Sequence, residues 1–216
     1  MKLFVFDHCP FCIKATMLVG LKKMPVTLET IQNHDVQARI AKVGSNSVPI
    51  LQKDDGSHMA ESLDIVRYLD QYDGQPVLAA ATQSDAILAW EQQAYPAILP
   101  LLFPRTIMVD FPEFASDEAK QWFRQNKTAM LGMSFEAAFD NSAVYLQHLN
   151  NQLVQLTWLS LPSQRNQQLS YDDINLYPTL RNLTLIKGVQ FPPLVRQYIE
   201  EVTALTGVRL LDDVAV

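Results

Sequence analysis

The chain has 216 residues, 48% of them apolar, and a formal net charge of −6. That is enough chain for one large domain or two small ones with a real core, and the composition excludes disordered, collagenous and disulfide-scaffold classes. The acidic balance, without a dense Lys/Arg patch, argues against nucleic acid or an anionic membrane surface as a partner.

No apolar stretch approaches the ~18 residues of a membrane span. The opening MKLFVFDHCP has too short an apolar run for a secretory signal. The expected location is therefore cytoplasmic, where a stable disulfide is unusual and a cysteine pair is more often metal-binding or catalytic.

KLFVF at 2–6 is a compact apolar run suited to a buried strand. A helix is predicted over about 10–23. Pro10 fits its first turn, Ile13, Met17 and Leu21 recur at helical spacing, and Lys22 and Lys23 suit its negative C-terminal end. PVTLETI at 25–31 reads as a second strand. Asp35 is positioned to cap a short helix that Gly44 ends. SVPILQ at 47–52 reads as a third strand, and an Asp55-Gly56 turn leads to a short return strand at 58–60. A third helix fits 61–74. The order β-α-β-α-β-β-α favours a parallel strand pair followed by a hairpin.

Residues 75–83 read as a linker of small, polar and proline residues. Beyond it, helical spacing dominates 84–101, 116–131, 134–159, 171–187 and 192–206. Pro96, Pro100, Pro104, Pro112, Pro162 and Pro192 are expected at or near breaks. The expected domains are thus an α/β unit over 1–74 and an all-α unit over 84–216. Within the latter, Ser170 and Asp173 have capping-box spacing, with Leu169 and Ile174 as a hydrophobic staple; this is a folding feature.

The only two cysteines stand three apart in DHCPFCIK, residues 7–14. A staple, half a metal site and a redox centre are the possible readings. Zinc needs about four ligands, and His8, His34, His58 and His148 show no paired spacing, so no metal is expected. A helix starting at this point puts Cys9 and Cys12 on nearly one face. Its N–H groups and dipole favour a thiolate, lowering Cys9 below its ordinary value of about 8.5. Cys9 is then the exposed nucleophile and Cys12 the resolving thiol. His8 either tunes that thiolate or is a solvent-exposed loop residue.

Two further constellations stay open on the residues alone. Val48-Pro49 is either a cis-proline segment whose Val48 backbone pairs with an extended peptide, or a proline at a strand start. Glu61-Ser62 is either a carboxylate-binding helix start or a plain N-cap.

CPFC, then VPI, then ES at these spacings resemble the glutaredoxins and the glutathione transferase N-terminal domain. The helical remainder is similar to the transferase C-terminal domain. The combination, with VPILQKDD and LRNLTL at 180–185, resembles the bacterial glutaredoxin 2 family along the whole chain. The resemblance implies a thioredoxin-like α/β domain, a transferase-like helical domain and a glutathione-dependent thiol–disulfide oxidoreductase. Cys9 would attack and Cys12 resolve. Val48 beside cis-Pro49 would hold the cysteinyl part of glutathione, and Glu61 and Ser62 its γ-glutamyl end. Lys22 is the candidate for its glycine carboxylate. Glutathione is then a co-substrate, with no tightly bound cofactor. Glutathionylated or disulfide-containing proteins are the partners, and a monomer is expected. Phe11 stands where many members carry Tyr, which leaves any role of that hydroxyl in doubt. A glutathione transferase acting on electrophiles and a non-catalytic binding module are the rivals. A cysteine at position 9 favours disulfide exchange over the first, and an intact reactive pair argues against the second.

Overall fold

In the computed structural model, which describes all 216 residues, the opening apolar run forms β1 (Lys2–Val5), with Leu3, Phe4 and Val5 buried. The chain continues through α1 (Pro10–Leu21), β2 (Thr27–Thr30), α2 (Val36–Val43), β3 (Ile50–Gln52), β4 (His58–Met59) and α3 (Ser62–Gln71). The sheet order is β2-β1-β3-β4. β1 runs parallel to β2, which requires a crossover such as α1, and antiparallel to β3, with Phe4 opposite Ile50. β4 returns antiparallel to β3, with Leu51 opposite Met59.

The local signals act as their chemistry requires. The Asp35 carboxylate accepts the Ala38 N–H at 2.9 Å to start α2, and Gly44 ends it at φ 74°. The Asp55 carboxylate accepts the Ser57 N–H at 2.9 Å in the hairpin turn, where Gly56 takes φ 83°.

The chain forms two compact units. The first is Met1–Val77 with Asp110–Phe123 and Thr206–Val208. The two later segments were read in sequence as part of a continuous helical block over 84–216. Asp110–Phe123 joins the first unit through buried Phe111, Phe114 and Phe123 and through two backbone carbonyls: that of Glu113 accepts the Asn33 N–H at 2.9 Å, and that of Pro112 accepts Gln32 Nε2 at 2.9 Å. In the same unit a Cβ added at Gly20 of α1 would stand 1.7 Å from the Thr206 carbonyl oxygen. Gly20→Ala is therefore expected to destabilise the protein by about 1–3 kcal/mol or more, because backbone rather than a flexible side chain must give way. Denaturant unfolding measures it, and an unchanged midpoint would show that the contact yields freely.

The second unit is Leu78–Val109, Arg124–Leu205 and Arg209–Val216. Its helices are α4 (Ser84–Thr106), the continuation of α5 (Asp117–Leu131), α6 (Phe135–Asp140), α7 (Ser142–Leu153), α8 (Tyr171–Leu183) and α9 (Pro193–Thr206). α4 packs on α6, α7 and α8, and Trp90 Nε1 donates to the Gln152 carbonyl at 3.0 Å. No helix is long and apolar enough to cross a membrane.

Two expectations about these helices are corrected. Pro96, Pro100 and Pro104 do not break α4, which runs through all three. Each deletes an N–H that would reach the carbonyl four residues back. Burial of Ala94, Ala97, Ile98, Pro100, Leu101 and Pro104 holds the helix regardless. The segment 134–159 is two helices rather than one. Asn141 separates them, with its Nδ2 donating to the Ala137 carbonyl at 2.8 Å, and the chain leaves α7 after Leu153. By contrast Pro112 and Pro162 open short 3-10 turns, and Pro192 directly precedes α9.

Candidate active site

Strand directions decide which residues can meet. The C-terminal end of β1 lies beside the start of β3, because the two are antiparallel. β4 runs back toward that same end. The loop after β1 carrying Cys9, the Val48-Pro49 segment before β3 and Glu61-Ser62 after β4 therefore gather at one end of the sheet. Val48-Pro49 is a cis peptide bond. Glu61 is the N-cap of α3 at φ 67° and ψ 108°, a conformation that costs a non-glycine residue about 1–3 kcal/mol. Its side chain is exposed and does not cap the helix, and Ser62 is the first helical residue.

Lys22 is not brought to this end. It caps the opposite end of α1, where its Nζ donates to the Asp70 carbonyl, to Asp73 Oδ1 at 2.6 Å and to the Gln75 carbonyl at 3.1 Å. These partners satisfy all three ammonium donors. The expectation that it binds a glycine carboxylate is corrected on that ground.

Cys9 is the N-cap of α1, with extended backbone at φ −79° and ψ 119°, and Pro10 follows at the first helical position. Its thiol is only partly exposed, Cys12 is 1% exposed, and the two are not joined in a disulfide. The Cys12 sulfur accepts the Phe6 N–H at 3.3 Å. The Cys9 pKa is lowered to about 6. The hydrogen bond from the Cys12 thiol is the main cause; burial opposes it, and the His8 charge and the N–H groups of Cys12 and Phe11 add to it. The Cys12 thiol is pushed well up, first by burial, then by its hydrogen bond to Cys9 and by the Cys9 charge. One thiolate and one thiol therefore share a single proton-donating contact. Phe11, between them in sequence, is 55% exposed.

The sequence reading missed Glu113, in the 3-10 turn Pro112–Phe114. Its carboxylate is fully buried and accepts the His8 backbone N–H at 3.1 Å, and its Oε1 lies 2.5 Å from His8 Nδ1. His8 is consequently not a solvent-exposed loop residue. Its ring stacks on Phe6 and Phe114 and meets Phe123 edge-on. A lone carboxylate within Phe111-Pro112-Glu113-Phe114 was the available signal, since a charge flanked by large apolar residues demands a partner. No group of three or more His, Cys, Asp and Glu side chains is arranged to hold a metal ion.

Comparison with known proteins agrees with this geometry. Residues 3–77 match the family described as glutathione S-transferase, N-terminal domain, and residues 86–215 that described as glutaredoxin 2, C terminal domain. Glutaredoxin 2 of Escherichia coli K12 is 39% identical over 217 aligned positions, covering 100% of both chains. The crystal structure of glutaredoxin 2 from Salmonella typhimurium in complex with glutathione superimposes with a TM-score of 0.93 at 39% identity, over 100% of this chain and 98% of that one. A glutathione transferase of Phanerochaete chrysosporium shares the fold, with a TM-score of 0.70 at 16% identity over 94% and 96% of the two chains. With more than half its length matched by the glutaredoxin 2 model and a full-length relative at 39% identity, this chain belongs to the glutaredoxin 2 family.

Proposed function

We propose that this glutathione-dependent glutaredoxin works through Cys9 as nucleophile and Cys12 as resolving thiol. The observation that carries the reading is the unequal pair, a lowered Cys9 at the N-cap of α1 hydrogen-bonded to a buried, raised Cys12. The Cys9 thiolate attacks the glutathione sulfur of a protein–glutathione mixed disulfide. A Cys9–glutathione disulfide forms, and the protein thiolate leaves and takes a proton. A second glutathione, as thiolate, attacks the bound glutathione sulfur; glutathione disulfide departs and Cys9 is again a thiolate. A low thiol pKa makes Cys9 a good leaving group in this second step.

With a protein disulfide as substrate, Cys9 forms the mixed disulfide and Cys12 attacks the Cys9 sulfur, releasing the protein's second thiolate. Two of the causes that keep Cys12 protonated, the hydrogen bond to Cys9 and its charge, vanish once Cys9 is a neutral disulfide. Resolution is thus switched on by the first attack. Both half-reactions exchange sulfur for sulfur, so no tightly bound cofactor is needed and glutathione is a co-substrate.

The glutathione site we propose is the end of the sheet where three loops converge. Val48, beside cis-Pro49, offers backbone groups to the cysteinyl part; Glu61 and Ser62, at the start of α3, face the γ-glutamyl end. The crystallised Salmonella relative in complex with glutathione supports a ligand of this class. We assign the thiol chemistry to the first unit, Met1–Val77 with Asp110–Phe123 and Thr206–Val208, and the helical role to the second, with a single chain as the working unit. A cytoplasmic location accompanies this reading, because exchange with glutathione needs a compartment that keeps thiols reduced. The transferase alternative is not favoured, since a cysteine occupies the position from which glutathione would be activated.

Intact-mass analysis of reduced Cys12→Ser protein after brief exposure to glutathione disulfide tests the mechanism. One added glutathione is expected, reversed by excess glutathione and missing in Cys9→Ser/Cys12→Ser. No adduct at neutral pH would overturn it.

A further inference from the structure

Glu113 lies about a hundred residues from the reactive pair in sequence, yet its carboxylate sits in the same compact unit, directly under the residue that precedes Cys9. Its two contacts with His8 do different things. The bond from the His8 backbone N–H fixes the loop. The contact at Nδ1 fixes the ring's proton: an ionised carboxylate only accepts, so Nδ1 must be the nitrogen that donates.

A purely structural latch would not need a charge. The turn that carries Glu113 is already held through its backbone, by Asn33 N–H on the Glu113 carbonyl and by Gln32 Nε2 on that of Pro112. The carboxylate is nevertheless wholly buried, with Oε2 lacking any hydrogen-bond partner. Leaving a buried acceptor unpaired is unfavourable, and such exceptions concentrate where the group has a chemical task.

We propose that Glu113 is a positioning residue for disulfide exchange: it holds the His8 imidazole, with Nδ1 protonated, on the loop beside Cys9. The pair thereby adds to the preference for a thiolate at Cys9. In keeping with this, the His8 charge lowers Cys9, and the Glu113 charge raises Cys12 after the larger effects of burial and Cys9. Burial alone would push the Glu113 carboxyl up, but its hydrogen bonds and charge interaction with His8 hold it below the usual carboxylate value. Asp7 and Cys9 flank His8 in the loop, and Cys12 follows in α1. Phe6, Phe114 and Phe123 are neutral. Arg39 of α2 lies over the Phe6 ring, and His34 and Glu118 form a separate pair at 3.5 Å.

The inference rests on Cys9 being the nucleophile, and one experiment separates the two. Iodoacetamide alkylation of Cys9 is followed against pH by mass in the wild type, Glu113→Gln, His8→Gln and the double variant. A wild-type midpoint near 6 upholds the nucleophile assignment; a midpoint above 8 overturns that assignment and this inference with it. Given the low wild-type midpoint, Glu113→Gln is expected to raise it by about one unit, a roughly tenfold smaller thiolate fraction below the midpoint. The double variant should match His8→Gln alone, because Glu113 acts on Cys9 through the imidazole. An unchanged or lowered midpoint in Glu113→Gln would overturn the inference and leave the nucleophile in place. Nitrogen-15 spectra of the His8 ring in the wild type need no variant: protonated Nδ1 across the Cys9 titration is expected, and an Nε2–H neutral tautomer would overturn the proposal.

Discussion

Replacing Cys12 with Ala should raise the pH midpoint of Cys9 alkylation from near 6 by about one to two units, whereas Cys12→Ser should move it far less. The Cys12 thiol hydrogen bond is the largest influence lowering Cys9. A hydrogen bond to a charged group contributes about 1.5–3 kcal/mol, and 1.36 kcal/mol corresponds to one pKa unit. Alanine removes the donor, but a serine hydroxyl keeps one. The sign is fixed by which form is stabilised: the bond favours the thiolate, so losing it favours the thiol and moves the midpoint up. The rate at pH 7 is a poor readout, because a less acidic thiol is also a stronger nucleophile once ionised, with a Brønsted slope of about 0.4–0.5. The midpoint is free of that compensation. Equal midpoints for the alanine variant and the wild type would show that the helix N-terminus and His8 suffice. The buried Phe6 N–H loses its sulfur acceptor in the alanine variant, so its unfolding midpoint should be recorded alongside.

Asp173→Ala should cost about 3–5 kcal/mol of folding stability, the range for breaking a buried charge network from one side. The carboxylate is buried and accepts five hydrogen bonds. On Oδ2 it takes the Ser170 N–H at 2.7 Å, the Ser170 hydroxyl at 3.0 Å and an Arg165 guanidinium N–H at 2.9 Å. On Oδ1 it takes the second Arg165 N–H at 2.9 Å and the Tyr198 hydroxyl at 2.9 Å. Alanine would leave a guanidinium and a buried phenol without this partner. Asp173→Asn keeps the shape and some acceptance, so its loss should be smaller. Denaturant midpoints measure both, and an alanine variant within about 1 kcal/mol of wild type would show that water replaces the carboxylate.

The Asp173 network also marks how far sequence reasoning reaches. The S-x-x-D spacing and the flanking Leu169 and Ile174 announced a capping box, which is present, and both staple residues are buried. A box is a four-residue interaction whose partners are fixed by helix geometry. Arg165 and Tyr198 joining the same carboxylate carried no such signal, since they arrive from separate segments of the chain. The active site divides the same way. Cys9, Pro10 and Cys12 at a helix start were legible from a strand-like run followed by helical spacing. Glu113 was not, because the contact that brings it to His8 spans 105 residues. Lys22 was carried over from the resemblance although the predicted helix already set it at the end opposite Cys9; the fold adds the Asp70, Asp73 and Gln75 oxygens that engage its ammonium.

By itself, the sequence determined the alternation of strands and helices in the first unit, the helix caps at Asp35, Gly44 and Ser170, and the placement of a reactive cysteine at a helix N-terminus. These follow from interactions between residues a few positions apart, which any context preserves. Tertiary structure alone decided that α4 passes unbroken through three prolines, that residues 110–123 join the α/β unit, and that a buried carboxylate stands beneath the active-site loop. Each of these depends on apolar burial or charge pairing between distant segments, and that energy exists only once the chain has folded.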